Sequence, residues 1–159
     1  PQVNERIIDA VAQDGADAVS AGFHNSSSTP VELNEAYFPL TFTEYSLIPD
    51  SGGAGKQRGG TGMRRAYRGE VPEGRRAGNF ERFKVPPYGL AGGAPGRPGR
   101  FYVLRDGEEH PLPSKLANHT VRQGDVVVLE TAGGGGFGDP AARDSQAAER
   151  DRLGGYVSR

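Results

Sequence analysis

Four consecutive glycines at positions 133–136 constrain this chain more than any other feature of its sequence. Glycine loses more backbone freedom on folding than any other residue, so such a run must be held in place by its surroundings. The run follows the apolar segment 126–129 and ends in Phe-Gly-Asp-Pro. Flexible linkers are usually longer and richer in serine, and neither glycine fingerprint of nucleotide-binding proteins is present. The sequence favours close packing of backbone against backbone, with an anion-binding loop as the alternative.

The amount of glycine and proline bears on the fold class. The 159 residues include 25 glycines and 12 prolines, whereas apolar residues make up 35%. The glycines cluster between apolar runs, as they do at turns. We therefore expect a single domain over residues 1–159 that is mainly β, dense in glycine-rich loops, with short terminal helices, and part of a larger assembly. No apolar run reaches the ~18 residues of a membrane span, and the absence of cysteine fits a cytoplasmic location.

Charge is distributed unevenly along the chain. Residues 1–50 carry eight acidic side chains and one basic one, whereas residues 51–84 carry nine basic and three acidic ones. A basic stretch can indicate nucleic-acid binding, but the interleaved aromatic residues of a single-strand binder are few here. We therefore interpret the basic stretch as a solvated face, or as one that faces an acidic partner or the acidic N-terminal third. No nucleic acid is expected as a partner.

Residue alternation predicts the first strands. Apolar and polar residues alternate within residues 31–48, and the alternation changes parity near Thr43 and Glu44. A single inserted residue has this effect, so a β-bulge is predicted there. A further strand is predicted over residues 63–68, followed by an exposed turn region over residues 69–79.

Capping and turn residues predict elements nearer the two ends. Asp106-Gly107 between apolar runs predicts a β-hairpin. A helix is predicted over about residues 5–13, capped by Asn4. A second helix is predicted from Asp144 or Ser145 to about Leu153, where two glycines end it.

Four ordered blocks carry a family resemblance. They read "STPVELNEAYFPLTFTEYSLIPDSGGAGKQRGGTGMRRAYR", "PPYGLAGGAPGRPGR", "LPSK" and "ETAGGGGFGDPAARD". In this order they resemble the C-terminal region of the hydantoinase B/oxoprolinase family, over residues 14–158. That family includes the B-type component of ATP-dependent N-methylhydantoinase, the C-terminal half of 5-oxoprolinase and the α-type components of acetone and acetophenone carboxylases.

The resemblance implies a function for the chain within a larger enzyme. It implies a small subunit or fragment of an ATP-dependent hydantoinase/oxoprolinase-type cyclic amide hydrolase, which helps to bind the activated substrate and is inactive alone. The alternatives are a subunit of an acetone/acetophenone carboxylase-type ketone carboxylase and a purely structural assembly subunit. Expected partners are a hydantoinase A-type subunit that binds ATP and the rest of a hydantoinase B-type subunit. The family's metal ligands generally lie upstream, so a divalent metal is expected in the wider complex and not on this chain.

The segment "HNSSSTPVE" supplies candidate site residues. It stands where the family more often has "NTRNTPVE", so Asn25, Thr29 and Glu32 keep the family's residue types. Glu32 and His24 are the candidate catalytic residues, and Asn25 and Thr29 are candidate substrate- or anion-binding residues. For His24 the alternative is a structural histidine, and for Glu32 a carboxylate bonded to loop amides. Glu32 and Glu35 would share a face only on a helix, and since a strand is predicted here, we expect them on opposite sides.

A second candidate site lies in the glycine-rich segment "GKQRGGTG". Arg58, followed by Gly59 and Gly60, presents a guanidinium group that suits a carboxylate or phosphate. The alternative is a salt bridge that holds this loop against the acidic N-terminal third. His110 and His119 are expected to be solvated or structural. The histidines lack the spacing of a zinc site, so no metal is expected on this chain.

Overall fold

The computed structural model describes residues 13–19 and 28–158. The helix predicted over about residues 5–13 lies almost entirely outside this part of the chain. In chain order the elements are α1 (Val31–Tyr37), β1 (Leu40–Leu47), β2 (Met63–Gly69), β3 (Glu73–Asn79), β4 (Arg100–Arg105), β5 (Glu108–Pro111), β6 (Lys115–Arg122), β7 (Val126–Glu130), a 3₁₀ turn (Pro140–Ala142) and α2 (Ser145–Leu153). The prediction of a mainly β fold dense in loops is confirmed. Among the described residues, no helix has the length and hydrophobicity needed to span a bilayer.

The strands form two antiparallel sheets. Five strands pair in the order β1-β2-β7-β4-β5, and β3 pairs with β6 in a separate two-stranded sheet. The predicted hairpin is confirmed between β4 and β5, where Asp106 and Gly107 have φ of 53° and 82°. Positive φ at both central residues matches the right-handed twist of the paired strands.

The main core lies between the two sheets. Directly opposed residues of antiparallel strands share a face, so Phe101, Val103 and Val127 point to the same side of the five-stranded sheet. Val121 of β6 packs against these three residues. We call this side the core face. The opposite side carries a smaller cluster of buried residues around Tyr102 and Val128.

The predicted β-bulge in β1 is confirmed. The register between β1 and β2 shifts between Phe42 and Glu44. Phe42 therefore pairs with Tyr67 and Tyr45 pairs with Arg65, which places both β1 aromatics on the core face although they are three positions apart. Their ring centroids are 6.5 Å apart.

The strand prediction was wrong for residues 31–37, which form helix α1. Glutamate, leucine and alanine in this segment are good helix formers. The side-chain amide of Asn34 donates to the backbone oxygens of Pro30 (3.0 Å) and Thr29 (3.2 Å), which stabilises the first turn. Phe38 ends the helix with an extended backbone, as expected for a residue before proline.

The turn prediction was also wrong for residues 73–79, which form β3. This strand holds charged and glycine residues with almost no apolar ones, so it has little strand signal of its own. It forms because β6 supplies backbone partners from Gly74 opposite Val121 to Asn79 opposite Lys115. Alternate residues of β3 are exposed, which is compatible with its polar composition.

The glycine run packs against two other glycine-rich segments, residues 49–62 and 86–99. Gly134 accepts a hydrogen bond from Gly53 and donates one to Gly60, both at 2.8 Å. A Cβ on Gly133 or Gly136 would collide with the backbone carbonyl group of Ser51 or Ala54. The prediction of close backbone packing is therefore confirmed, because only glycine fits these crossings.

Candidate functional site

The candidate residues of "HNSSSTPVE" are only partly within the described structure. His24 and Asn25 lie outside it, so their proposed roles remain predictions. Glu32 is exposed in the first turn of α1. Because this segment is a helix, the expectation that Glu32 and Glu35 lie on opposite sides was wrong. Glu35 accepts a hydrogen bond from the backbone of Phe42 (2.6 Å) and so connects α1 to β1. A catalytic role for Glu32 remains a prediction.

Thr29 lies at a cavity of about 220 Å³, which we call the Arg65 cavity. Its polar lining comes from Thr29 and Asn34 on one side and from Arg65 and Tyr67 of β2 on the other. Strand alternation places Arg65 and Tyr67 on the core face. The cavity thus joins the family-like "TPVE" segment to the edge of the hydrophobic core.

The remaining walls of the Arg65 cavity are largely apolar. They include Phe42, Phe80, Phe101 and Leu129. Phe80 and Phe101 pack edge to face with their ring centroids 5.0 Å apart. Apolar walls with a few polar groups are typical of sites that bind small organic molecules.

The Arg65 guanidinium group makes contacts only with neutral groups among the described residues. Its Nη2 donates to the hydroxyl oxygens of Ser28 and Tyr45, the latter at 3.0 Å. Its Cζ lies 4.9 Å from the centroid of the Tyr45 ring, as in a cation–π contact. Its Nε is buried and has no hydrogen-bond partner within the part of the chain that the structure describes. A buried donor without a partner is costly, so this atom is a candidate ligand contact.

Tyr67 and Arg76 form the neighbouring contact on the core face. Burial raises the pKa of the Tyr67 hydroxyl, and the Arg76 guanidinium opposes this increase. Arg76 Cζ lies 5.2 Å from the centroid of the Tyr67 ring, and its Nε is also buried without a partner among residues 13–19 and 28–158. Tyr67 therefore keeps its proton at neutral pH and can donate a hydrogen bond.

Arg58 of the second candidate site is buried and bonded to carboxylates of this chain. Its Nη1 lies 2.9 Å from Asp17 Oδ1 and its Nε lies 3.2 Å from Asp151 Oδ1. These contacts match the salt-bridge alternative, in which Arg58 holds the loop against the acidic N-terminal third. A Cβ on Gly59 or Gly60 would collide with the backbone of another segment. Binding of an external anion by Arg58, Gly59 and Gly60 remains a prediction, and the present contacts of Arg58 would have to be displaced for it.

Arg143 extends these contacts into a network, which we call the Asp14 network and define as Asp14, Asp17, Arg58, Arg143 and Asp151. Arg143 Nη1 lies 2.8 Å from Asp14 Oδ1, and Arg143 Nη2 also contacts Asp151. The hydrogen bond from Arg143 lowers the pKa of Asp14. Burial opposes ionisation of Asp17, but hydrogen bonds from Arg58 and Thr61 outweigh it and lower its pKa as well.

Glu130, at the end of β7, forms a third charged group that the sequence did not reveal. Its side chain is 1% exposed and accepts hydrogen bonds from Arg64 (2.6 Å) and Arg97 (2.8 Å). The Tyr102 hydroxyl lies 3.2 Å from Glu130 Oε1. Arg64 and Glu130 are directly opposed on β2 and β7, and this pairing can be recognised only when the strand register is known.

The described residues do not fit a metal site. They hold no group of three or more histidine, aspartate or glutamate side chains that could bind an ion. His110 is exposed on β5, and His119 lies on β6 opposite Arg76. The presence of a divalent metal elsewhere in the wider complex remains a prediction.

The sequence profile of the Hydantoinase B/oxoprolinase family matches residues 10–140. The chain belongs to this family. It is 31% identical over 150 residues to the putative B component of a D-/L-hydantoinase from a Pseudomonas species, covering 92% of this chain and 25% of that protein. It is 35% identical over 137 residues to the beta component of the caprolactamase of Pseudomonas jessenii, covering 82% of this chain and 23% of that protein.

A solved structure extends the match to the fold. The crystal structure of the ATP-dependent caprolactamase from Pseudomonas jessenii aligns with a TM-score of 0.72 at 27% identity, covering 91% of this chain and 28% of that one. The chain spans only about 10% to 25% of the length of the curated relatives it matches. The resemblance found in the sequence is thereby confirmed, for a region that corresponds to part of each relative.

Arg65, Tyr67 and Asn34 were not identified as site residues from the sequence. The alternation in "MRRAYR" does place Arg65 and Tyr67 on one side of a strand. It does not say that this side is the core face, or that α1 brings Thr29 and Asn34 to the same cavity. Both facts depend on the packing of distant segments.

Proposed function

We propose that this chain is part of an ATP-dependent enzyme that opens a cyclic amide, and that it helps to bind the organic substrate. The observation that carries this proposal is the Arg65 cavity, where the "TPVE" segment of the family meets a half-buried cation and apolar walls. The family relatives support it, since they are named as components of a hydantoinase and of a caprolactamase.

In this proposal the Arg65 cavity binds and orients the substrate. The apolar walls contact the hydrocarbon part of the ring, and Thr29, Arg65 and Tyr67 offer polar contacts. ATP is bound mainly by a hydantoinase A-type partner, and the rest of a hydantoinase B-type subunit supplies the remaining catalytic groups, with any divalent metal. The chain is therefore inactive alone. We also propose a cytoplasmic location, which the absence of cysteine favours.

Turnover by the assembled enzyme tests the proposal. The chain is expressed with the proteins that copurify with it, and ATP-dependent opening of hydantoins and lactams is measured for wild type and Arg65→Met. Loss of a hydrogen bond from a charged group costs about 1.5–3 kcal/mol, so we expect KM to rise roughly 10- to 100-fold, with a smaller change in kcat.

Arg68→Met is the matched control. Arg68 lies on the same strand but is directed to the opposite side, where it pairs with exposed Glu70 at 3.1 Å. We expect this variant to keep wild-type kinetic constants. An Arg65→Met enzyme with unchanged KM for every accepted cyclic amide would refute the binding role.

A purely structural assembly role is the second candidate, and one observation favours it. The side of the molecule formed by α1 and β1 exposes large apolar residues, with Tyr37 75% and Phe38 55% exposed. Exposed apolar patches are common where a protein meets a partner, and we assign this one to the rest of the B-type subunit. Tyr37→Ser with Phe38→Ser would then abolish copurification, while Leu153→Ser, which removes an exposed apolar side chain of α2, would not.

The ketone carboxylase alternative is tested with the same assembly. The acetone carboxylase structure in its nucleotide-free form aligns with a TM-score of 0.71 at 24% identity, which is a likeness of fold. Supplying acetone, bicarbonate and ATP in place of a cyclic amide separates the two reactions. Carboxylation without amide opening would replace the proposed reaction by this alternative.

A further inference from the structure

We propose that a pocket beside Arg76 receives an acidic side chain from the rest of a B-type subunit and so holds the two together. This pocket, which we call the Arg76 pocket, has a volume of about 100 Å³ and lies between the end of α1, the end of β2 and the strands β3 and β6. The inference rests on the proposed function, which assigns the neighbouring patch of Tyr37 and Phe38 to the same partner. It adds which residue type the partner presents and where that residue binds.

The first argument is that Arg76 has no counter-charge within the part of the chain that the structure describes. Its guanidinium group lies against the ring of Tyr67, which keeps its proton at neutral pH, and its Nε is buried without a hydrogen-bond partner there. By contrast, Arg105 pairs with Asp125 at 2.6 Å. A half-buried cation without an anion is costly, and a carboxylate in the pocket would remove that cost.

The second argument is that the pocket is open on the side that Arg76 faces. Gly74 and Arg76 are two positions apart on β3, so they share a face, and Gly74 lies opposite Val121 of the core. A Cβ at Gly74 would meet only the Val71 side chain, at 3.8 Å. The space left by the missing side chain contributes to a volume of roughly three waters at ~30 Å³ each. This space suits one short acidic side chain.

The third argument concerns the surface around the Arg76 pocket. Phe38 lines the pocket and is 55% exposed, and the adjacent Tyr37 is 75% exposed, so the cation and the apolar patch form one continuous surface. Protein interfaces commonly surround a few desolvated anchor residues with apolar contacts. In the curated relatives the matching region makes up only about 10% to 25% of a longer protein. A neighbouring part of the same subunit is therefore the occupant that we assign to this surface.

A zero-length crosslink identifies the occupant directly. Arg76→Lys keeps the positive charge and introduces an amine, which a carbodiimide joins to a carboxylate in contact with it. The variant is coexpressed and purified with its copurifying proteins, treated with the carbodiimide and examined by peptide mass spectrometry. We expect a crosslink from position 76 to an aspartate or glutamate of the rest of the B-type subunit. Arg75→Lys is the matched control and should not form this crosslink, because Arg75 is exposed on the other side of β3.

Each other result of the crosslinking experiment contradicts the inference. A crosslink to a second copy of the chain would show that the surface pairs with itself. A crosslink to a carboxylate within residues 1–159 would show that Arg76 has its anion in the same chain. A crosslink to a hydantoinase A-type protein, no crosslink, or recovery of the chain without any partner would equally overturn the proposed contact.

The dissociation rate of the complex measures the contribution of Arg76. Loss of one partner of a buried, hydrogen-bonded charge pair acts mainly on the dissociation rate. For Arg76→Gln we expect the copurifying B-type polypeptide to dissociate at least tenfold faster from the immobilised chain, as measured by surface plasmon resonance. Arg75→Gln should dissociate at the wild-type rate. A wild-type rate for Arg76→Gln overturns the inference.

Gly74→Val protects these tests against misfolding of the Arg76 variants. The valine side chain fills part of the pocket, leaves Arg76 unchanged and suits a strand. We expect this variant to unfold at the wild-type temperature and its complex to dissociate at least tenfold faster, and a wild-type rate would place the contact elsewhere. No ATP or substrate is used. An assembly that shows the expected crosslink but opens no cyclic amide therefore refutes the proposed reaction alone, and the opposite result refutes the Arg76 contact alone.

Discussion

Arg58 and Arg65 come from the same basic stretch of the sequence and end in opposite environments. Arg58 is buried among carboxylates in the Asp14 network, where its contacts connect the glycine-rich loop to α2 and to the segment before α1. Arg65 lies at a largely apolar cavity, and its buried Nε has no partner in the described part of the chain. The comparison indicates that the first cation stabilises the fold, whereas the second has no carboxylate partner among the described residues.

The strongest test of this comparison is the matched pair Arg58→Met and Arg65→Met. Removing one partner of a buried ion pair leaves an uncompensated charge and costs about 3–5 kcal/mol. Arg58 is 6% exposed and Asp151 8%, so we expect a loss in this range for Arg58→Met. For Arg65→Met we expect the free energy of unfolding to change by less than ~1 kcal/mol, since no carboxylate among the described residues loses its partner. Urea denaturation followed by circular dichroism measures both, and equal losses would show that the two arginines do not differ in this way.

The packing of the glycine run against residues 49–62, the loop that contains Arg58, provides a test with a slightly smaller expected loss of stability. In Gly133→Ala the new Cβ meets the backbone carbonyl group of Ser51, which cannot move without displacing its own loop. Overpacking of this kind costs about 1–3 kcal/mol, occasionally more. Gly69→Ala is the control, because a Cβ there meets nothing within 4 Å. We expect the urea midpoint to fall in the first variant only, and a fall of the same size in both would argue against a specific crossing.

Acid titration of stability gives the smallest expected effect and distinguishes the two regions again. The pKa values of Asp14 and Asp17 are lowered from the ordinary value of 3.8 in the folded chain. Groups with a depressed folded pKa stabilise the fold above their unfolded pKa, and this contribution is lost as the pH falls through the folded pKa. We therefore expect the contribution of these two groups to be constant from pH 6 to pH 8 and to decline below about pH 4.

Asp14→Asn with Asp17→Asn should flatten this decline, as measured by the urea midpoint at pH 7, 5, 4 and 3. Arg65→Gln serves as the control, since Arg65 has no carboxylate partner among the described residues and should leave the acid profile unchanged. An acid profile that is identical in wild type and the double variant would contradict a stabilising role for the Asp14 network.

Much of the local structure could be predicted because neighbouring residues decide it. The parity change near Thr43 and Glu44 predicts the bulge in β1, which the register of β1 and β2 confirms. Asp144 caps α2 through a hydrogen bond of 2.9 Å from the backbone of Ala147. Turns, caps and bulges depend on sterics and hydrogen bonds within a few residues, so the sequence carries their signal directly.

The two errors in the strand and turn predictions have different causes. Residues 31–37 were predicted as a strand because they precede a clear alternating pattern, yet they form α1. Residues 73–79 were predicted as a turn region because they are polar, yet β6 recruits them as β3. The first error underrated the local helix propensity of residues 31–37 and the Asn34 contacts that stabilise the first turn. The second error arose because a distant strand supplies hydrogen-bond partners to a segment whose own strand preference is weak.

The sequence by itself determined the family, the mainly β fold and the close packing of the glycine run, because residue types alone limit these features. Only the tertiary structure decided which arginine is paired and which is available. Arg58 and Asp151 are 93 positions apart, so no local sequence pattern encodes their contact. The cost of burying a charge depends on what surrounds it in space, so the Arg65 cavity became visible only when α1, β2 and the core face were placed together.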